Sequence, residues 1–429
     1  MNILLLCNLD INNAAMVIDH INSFVLYSGH DVTVFSNLTD NFGNLPEDIC
    51  LDWFDAVVVH YSLFVAIDAY VSAKTRYALK KFTGVKAIFL QDEYRFIDTT
   101  LKQIKFIGFD IIFTCVPTES IEKVYPQAEL PGVARVNVLT GYVPSFLLTY
   151  PIIPLTKRKY DVSYRGRQYP FWHGKLGLEK WEIATKFKID SKKFRLKTNI
   201  SYKEKKRLYG SQWVDLLRNS RAVLGVESGA SVFDFSGLIS AKVDTTVDLL
   251  TRKKVNYNDI KNKYFPSEED EINLAQISPR VFEAMALRTL CILYEGDYSG
   301  ILKPWQHYLP LKKDHSNVSE IVKILLDNDR TAEIIVNAYA EIALNKKYSY
   351  AQFIEEFDMH MNDALSRRSS LSTNCPEKNQ RISEIRKKYS FYLLNPHTHS
   401  IVKSRKALFF LKPLIKKILP ISWIRKIAR

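Results

Sequence analysis

Four short stretches combine the residue types that cradle phosphate oxygens. They are Tyr164-Arg-Gly-Arg167 with Lys175 beyond it, Glu227-Ser-Gly-Ala-Ser231, Ser278-Pro-Arg-Val-Phe-Glu283 and Glu295-Gly-Asp-Tyr-Ser-Gly300. Glycines let backbone N–H groups approach oxygens, guanidinium groups fork onto them, and helix N-termini add positive potential. Arg165, Arg167, Lys175, Glu227, Ser228, Gly229, Ser278, Arg280, Ser299 and Gly300 are therefore the candidate ligands of a phosphorylated molecule. Ser278 and Pro279 read as the N-cap and first residue of a helix. Glu283, about one turn in, could accept hydrogen bonds from a ribose diol or simply complement the helix dipole.

A second set could move a proton. His60 follows Val57-Val-Val59, and Asp92 and Glu93 lie in Gln91-Asp-Glu-Tyr-Arg95. Each could accept the proton of a hydroxyl. His60 could equally cap a strand, and the two acids could cap a helix. Asp10, Asn12 and Asn13 could line the same side of a cleft. Tyr169-Pro-Phe-Trp172 and Trp181 read as packing around a loop, or as a border for a stacked base. His397 and His399 lack a third ligand nearby and read as surface residues. The five cysteines form no C-x-x-C pair, so neither a zinc site nor a disulfide framework is indicated.

The elements that must position these residues alternate. Strand-like runs at 2–9, 30–35, 55–60, 85–90, 109–115 and 136–139 are separated by helical spacing at 14–27, 66–82 and 100–107. That order predicts a parallel sheet covered on both faces. A proline-rich, basic stretch at 150–159 reads as a linker. The alternation then restarts, with strands at 160–164, 221–226 and 290–294 and helices at 176–186, 280–287, 318–327 and 331–344. In open parallel sheets, ligands bind beyond the carboxyl ends of the strands, which is where both residue sets fall. The expected fold class is α/β with two Rossmann-like domains, 1–150 and 151–365. A flexible linker and basic tail over 366–429 would follow.

Composition narrows the choice. Of 429 residues, 47% are hydrophobic and 25% charged, which excludes a disordered chain or a coiled-coil rod. The net charge of +14 is concentrated at one end. Residues 380–429 hold thirteen basic residues against Glu384 alone, so the body is nearly neutral and no nucleic-acid partner is expected. No signal peptide and no transmembrane run is expected. In 401–429, Leu408, Phe409, Phe410, Leu411, Leu414, Ile415, Ile418 and Leu419 interleave with Lys412, Lys416 and Lys417. That composition suits an anionic membrane surface.

Arg280-Val-Phe-Glu-Ala-Met-Ala286, followed by the strand-like run at 290–294, resembles the S-P-R-x-F-E-A segment of GT-B-type glycosyltransferases. It is similar to the bacterial group 1/family 4-like and spore-maturation-type varieties. Tyr298-Ser-Gly300, Lys303-Pro304 and Leu311-Lys-Lys-Asp314 extend the likeness. The resemblance implies that Glu283 binds the ribose of a nucleotide-sugar and that Arg165, Arg167 and Lys175 sit by its diphosphate. It implies two domains facing across a cleft (GT-B type), no metal, and no cofactor beyond the nucleotide-sugar co-substrate. The acceptor would be a glycan or lipid-linked glycan in cell-surface polysaccharide synthesis. The site would be cytoplasmic, on the inner face of the cytoplasmic membrane. Two departures stand out. Many relatives carry a second Glu eight positions before the first, where this chain has Ala275, and Leu287-Arg-Thr289 replaces the usual glycine-containing turn. A nucleotide-sugar epimerase and a non-catalytic nucleotide-sugar-binding protein docked on a membrane are the alternatives.

Overall fold

The computed structural model describes residues 1–9, 14–36, 38–246, 255–368, 376–389, 394–395 and 400–401. In the first half, aliphatic runs form the strands and stretches with a helical apolar repeat form the helices. The order is β1 (Asn2–Leu6), α1 (Ala15–Tyr27), β2 (Asp31–Phe35), β3 (Ala56–Val59), α2 (Ala73–Lys81), β4 (Val85–Phe89), α3 (Ile97–Ile107), β5 (Ile111–Thr114), α4 (Ile121–Val124) and β6 (Ala134–Asn137). These strands pair in parallel in the order β2-β1-β3-β4-β5-β6. Leu4, Leu6, Val57 and Val59 enter the core on one face, while Ile3, Leu5, Ala56 and Val58 enter the core on the other. Burial on both faces explains why these runs show no polar–apolar alternation.

The helical spacing read at 66–82 is only half realised. Helix α2 begins at Ala73, where Ser72 caps it by accepting the Thr75 N–H at 3.2 Å. Residues 60–72 before it form a loop of turns, and that loop borders the cleft described below.

The second half runs β7 (Tyr160–Arg165), α5 (Gly174–Lys193), β8 (Thr198–Ser201), α6 (Gly210–Arg218), β9 (Ser220–Gly225), α7 (Leu238–Thr246), α8 (Tyr257–Tyr264), α9 (Pro279–Ala286), β10 (Leu290–Tyr294), β11 (Leu309–Leu311), α10 (Val318–Leu326), α11 (Asn328–Ala338), α12 (Tyr350–Ser366) and α13 (Pro376–Lys388). Its sheet is also parallel, in the order β11-β10-β9-β7-β8. Strands β8 and β11 escape the sequence pattern because they are short and, in Thr-Asn-Ile-Ser, largely polar.

The halves are tied together at several points. Helix α12 returns to the first sheet, where Phe353 and Phe357 pack edge-on against Phe24 and Asp358 accepts the Gly29 N–H at 2.7 Å. The long connection after β9 inserts Phe233, Ile272 and Leu274 into the first half's core. Backbone hydrogen bonds join Tyr94 and Phe96 to Asp234 at 2.9 and 3.0 Å. Part of the stretch read as a flexible linker is ordered structure. Helix α13 buries Ile382 and Ile385 against the first half, and Lys378 pairs with Asp55 at 2.8 Å. Three apolar or paired contacts on one helix face outweigh a polar composition. Residues 402–429, with the proposed membrane-surface segment, lie outside the described residues, as do Asp10, Asn12, Asn13, His397 and His399. No described helix is long and apolar enough to cross a membrane.

Candidate functional site

The carboxyl ends of both sheets face one cleft of about 570 Å³. Each sheet reverses its strand order beside its first strand, the position where open α/β sheets bind ligands. Asn8 follows β1, Tyr61 and Ser62 follow β3, and Gln91 and Asp92 follow β4. Across from them stand Arg165–Arg167 after β7, Glu227–Gly229 after β9, and Ser278, Arg280 and Glu283 at the start of α9.

The cations cluster on the second-half wall. Lys180, on the inward face of α5, is buried and donates to the Gly229 carbonyl at 2.8 Å. Burial lowers its ammonium, Tyr169 and Asp92 draw it back up, and Arg167 and Arg280 push it down. The Tyr169 ring lies under both Lys180, at 4.3 Å, and Arg167, at 4.5 Å. Burial opposes ionisation of its phenol, yet those two cations hold it below the ordinary tyrosine value. Four mutually close cationic and phenolic groups make a site that an anion would relieve. Gly229 is required where it stands: its φ is +98°, and a Cβ there would lie 1.8 Å from the Leu274 carbonyl.

Glu283 is buried at the cleft's edge, and its Oε2 accepts the Trp213 indole N–H at 2.7 Å. Arg280 lies 5.3 Å from the same indole and donates to the Arg165 carbonyl. Glu227 accepts the Tyr298 N–H at 2.7 Å, and burial raises its carboxyl. The Ser228 and Gln276 backbones bond to each other at 2.8 and 3.1 Å, which places Gln276 in the wall beside Ala275.

Four expected ligands do not offer the cleft the groups expected of them. The Arg165 guanidinium turns to Asn199, bonding its carbonyl and side-chain oxygens at 2.8 Å each, so only its main chain serves the wall. Lys175 leaves the cleft for an ion pair with Asp270 at 2.6 Å. The Ser299 hydroxyl accepts the Ile277 N–H at 3.1 Å, and the Gly300 N–H is taken by Asp297 at 2.9 Å. Neither borders the cleft. Of the aromatic group, Tyr169 reaches the wall, whereas Trp172 stacks on His173.

Of the three candidate bases, Asp92 alone lines the cleft. Its φ of +58° aims the loop after β4 into the opening. His60 is fully buried. The Ser62 N–H donates to its Nδ1 at 3.0 Å, so Nε2 carries the proton and donates to His20 Nδ1 at 2.9 Å. Burial, and then His20, hold the His60 imidazole well below its ordinary value. His60 is therefore a neutral strut under Tyr61 and Ser62 and has no direct reach to a ligand.

Glu93 points the other way, into the first core. Thr114, Tyr125 (2.7 Å) and the Cys115 N–H (2.8 Å) all donate to it. Burial outweighs these donors and raises its carboxyl to about 7. Between pH 4.5 and 7 the folded chain thus keeps a proton that the unfolded chain has released. The stability Glu93 contributes is complete below the lower value and is lost as pH rises through the upper one. The melting temperature of the wild type relative to Glu93→Gln should therefore fall across that window; a pH-independent difference would refute the assignment.

No protein-family profile matches the chain. Among curated proteins it is similar to protein O-glucosyltransferase 1 of Bos taurus, 23% identical over 247 residues, which cover 50% of this chain and 58% of that protein. The match thus spans little more than half the length of that relative. Among solved structures, an α-glucosyltransferase in complex with UDP and a 13-mer DNA containing a HMU base aligns with a TM-score of 0.50. The alignment covers 85% of this chain and 99% of that one, at 10% identity. The fold is of GT-B type. Anabaena HepE in complex with UDP aligns over 86% of this chain and 100% of its own at a TM-score of 0.45 and 12% identity. These neighbours correct one expectation. A protein of this fold has been solved with DNA bound, so a nearly neutral body does not exclude a nucleic-acid partner.

Proposed function

We propose that this protein is a glycosyltransferase that carries a sugar from a nucleotide-sugar to a hydroxyl of a glycan acceptor. The observation that supports it is one cleft in which Asp92 from the first half faces Arg167, Lys180 and Arg280 from the second, with Glu283 behind them. Glu283, oriented by Trp213, accepts from the ribose. The three cations take up the charge of the departing nucleoside diphosphate, so no metal is needed for that task. Asp92 accepts the proton as the acceptor oxygen bonds to the anomeric carbon and the bond to the diphosphate oxygen breaks. Held in register by the two walls, donor and acceptor react as one assembled unit.

UDP is the first nucleotide to try, since it accompanies both solved neighbours. The S-P-R-x-F-E-A likeness favours bacterial cell-surface polysaccharide synthesis as the setting. The curated relative's name favours a second acceptor class, a protein hydroxyl.

Thermal shift against uridine, guanosine, adenosine and thymidine diphosphates and their sugars tests the reading. A ligand of the folded state at a hundred times its Kd stabilises by about 2.7 kcal/mol. One nucleotide family should raise the melting temperature, and Arg280→Ala should abolish that rise. No shift with any of them overturns the proposal.

A further inference from the structure

The two walls of the cleft differ in chemistry. Every lysine and arginine that borders it comes from the second half: Arg165, Arg167, Lys180, Arg207 and Arg280. The first-half wall offers no cation among the described residues, and its one carboxylate is Asp92. What it offers instead is apolar and aromatic surface with a few hydrogen-bonding groups. The first turn of α1 supplies Ala15, Met16 and Val17, and the loop at 60–72 supplies Ser62, Phe64 and Tyr70.

Phe64 is 45% exposed although its neighbours Leu63 and Val65 are each 2% exposed in the core. That exposure is imposed by a braced loop. Buried Arg76 reaches back to donate to the Val65 and Val71 carbonyls and pairs with Asp68. The Leu63 N–H bonds the His60 carbonyl at 2.9 Å, and the Ile67 N–H bonds the Phe64 carbonyl at 3.0 Å. Tyr70 meets Phe64 edge-on, with centroids 5.2 Å apart, and both rings line the cleft. A large aromatic held rigidly in water inside a cleft marks a contact surface.

From this we infer that Phe64, braced by Tyr70, is a stacking platform for an uncharged pyranose ring of the acceptor. A pyranose has an apolar C–H face and a rim of hydroxyls. The face suits the Phe64 ring, and the rim suits Ser62, Gln91 and Asp92 in the same wall. Attack by a rim hydroxyl then falls beside Asp92. The absence of cations from this wall matches an acceptor unit without phosphate or carboxylate. The inference rests on the reading of the first-half wall as the acceptor side.

Saturation-transfer NMR on the full chain tests it, with UDP and three probes: methyl β-glucopyranoside, methyl α-mannopyranoside and methyl β-galactopyranoside. At least one glycoside should receive saturation at the C–H protons of one ring face. Phe64→Ala should cut that transfer about three- to tenfold, and Phe64→Trp should preserve it, consistent with the energy of an aromatic contact. The UDP signal should not change in either variant. Because Phe64 is exposed, the melting temperature should hold, and that is measured alongside. Glycoside transfer that ignores Phe64→Ala overturns the platform. So does a UDP signal with no glycoside signal, or Phe64-dependent binding of a hydroxymethylated DNA duplex or a serine peptide alone. A glycoside signal without any UDP signal supports the platform and counts against the nucleotide-sugar reading instead.

Discussion

Asp92→Asn should lower the transfer rate by about a thousandfold while leaving donor binding nearly unchanged, in line with the usual contribution of a positioned base. The argument is geometric. Asp92 stands on the loop after β4 in a left-handed backbone conformation and lines the cleft opposite the cations. Asn keeps the size and tolerates the left-handed backbone but cannot take a proton. The neighbouring candidates supply the control. Glu93 is turned into the core and His60 is a buried strut, so Glu93→Gln should show itself in stability before rate. Single-turnover release of the nucleoside diphosphate, measured beside donor Kd, separates these. If Asp92→Asn retained a tenth of the rate, the base would have to come from the opposite wall or from the substrate itself.

Much of the architecture was legible because it depends on pattern. Strands buried on both faces need unbroken aliphatic runs, and Val57–Val59 or Leu290–Tyr294 can be read directly. The rim was legible too, since parallel strands must all deliver their following residues to one end. What pattern could not supply was the direction of single side chains. Lys175 and Lys180 sit five residues apart on one helix, and proximity in sequence to the Arg-Gly-Arg turn favours Lys175, the wrong one. The decisive signal was present: Leu176, Lys180, Ile183 and Phe187 form one buried stripe of α5, and a lysine on such a stripe is held there for a partner. His60 misled for the opposite reason. A histidine at a strand end looks exposed in sequence, and only the packing of the chain places His20 of α1 against it, with Phe353 of α12 against His20 in turn. The loop at 60–72 was hidden by an accidental helical repeat whose N-terminal half is overridden by the Ser72 cap and the Arg76 brace.

The choice between those lysines yields the second large effect. Lys180→Met keeps a long apolar stem in the helix stripe but removes the ammonium, and should weaken nucleoside diphosphate binding about ten- to a hundredfold, the range for hydrogen bonds to charged groups. Lys175→Met removes only a half-exposed pair with Asp270 and should change affinity little. The contrast can be tightened by shortening the ligand. If Lys180 meets the diphosphate, its removal costs affinity for UDP but not for uridine, which still engages Glu283. It should also flatten the salt dependence of UDP binding, because one screened charge pair is gone. An equal loss for UDP and uridine would mean that Lys180 acts through the fold instead. Its bond to the Gly229 carbonyl makes that outcome concrete: the turn after β9 would have shifted, carrying Glu227 and Ser228 with it. Isothermal titration of both variants against both ligands therefore decides whether the buried cation is part of the binding surface or part of its scaffold.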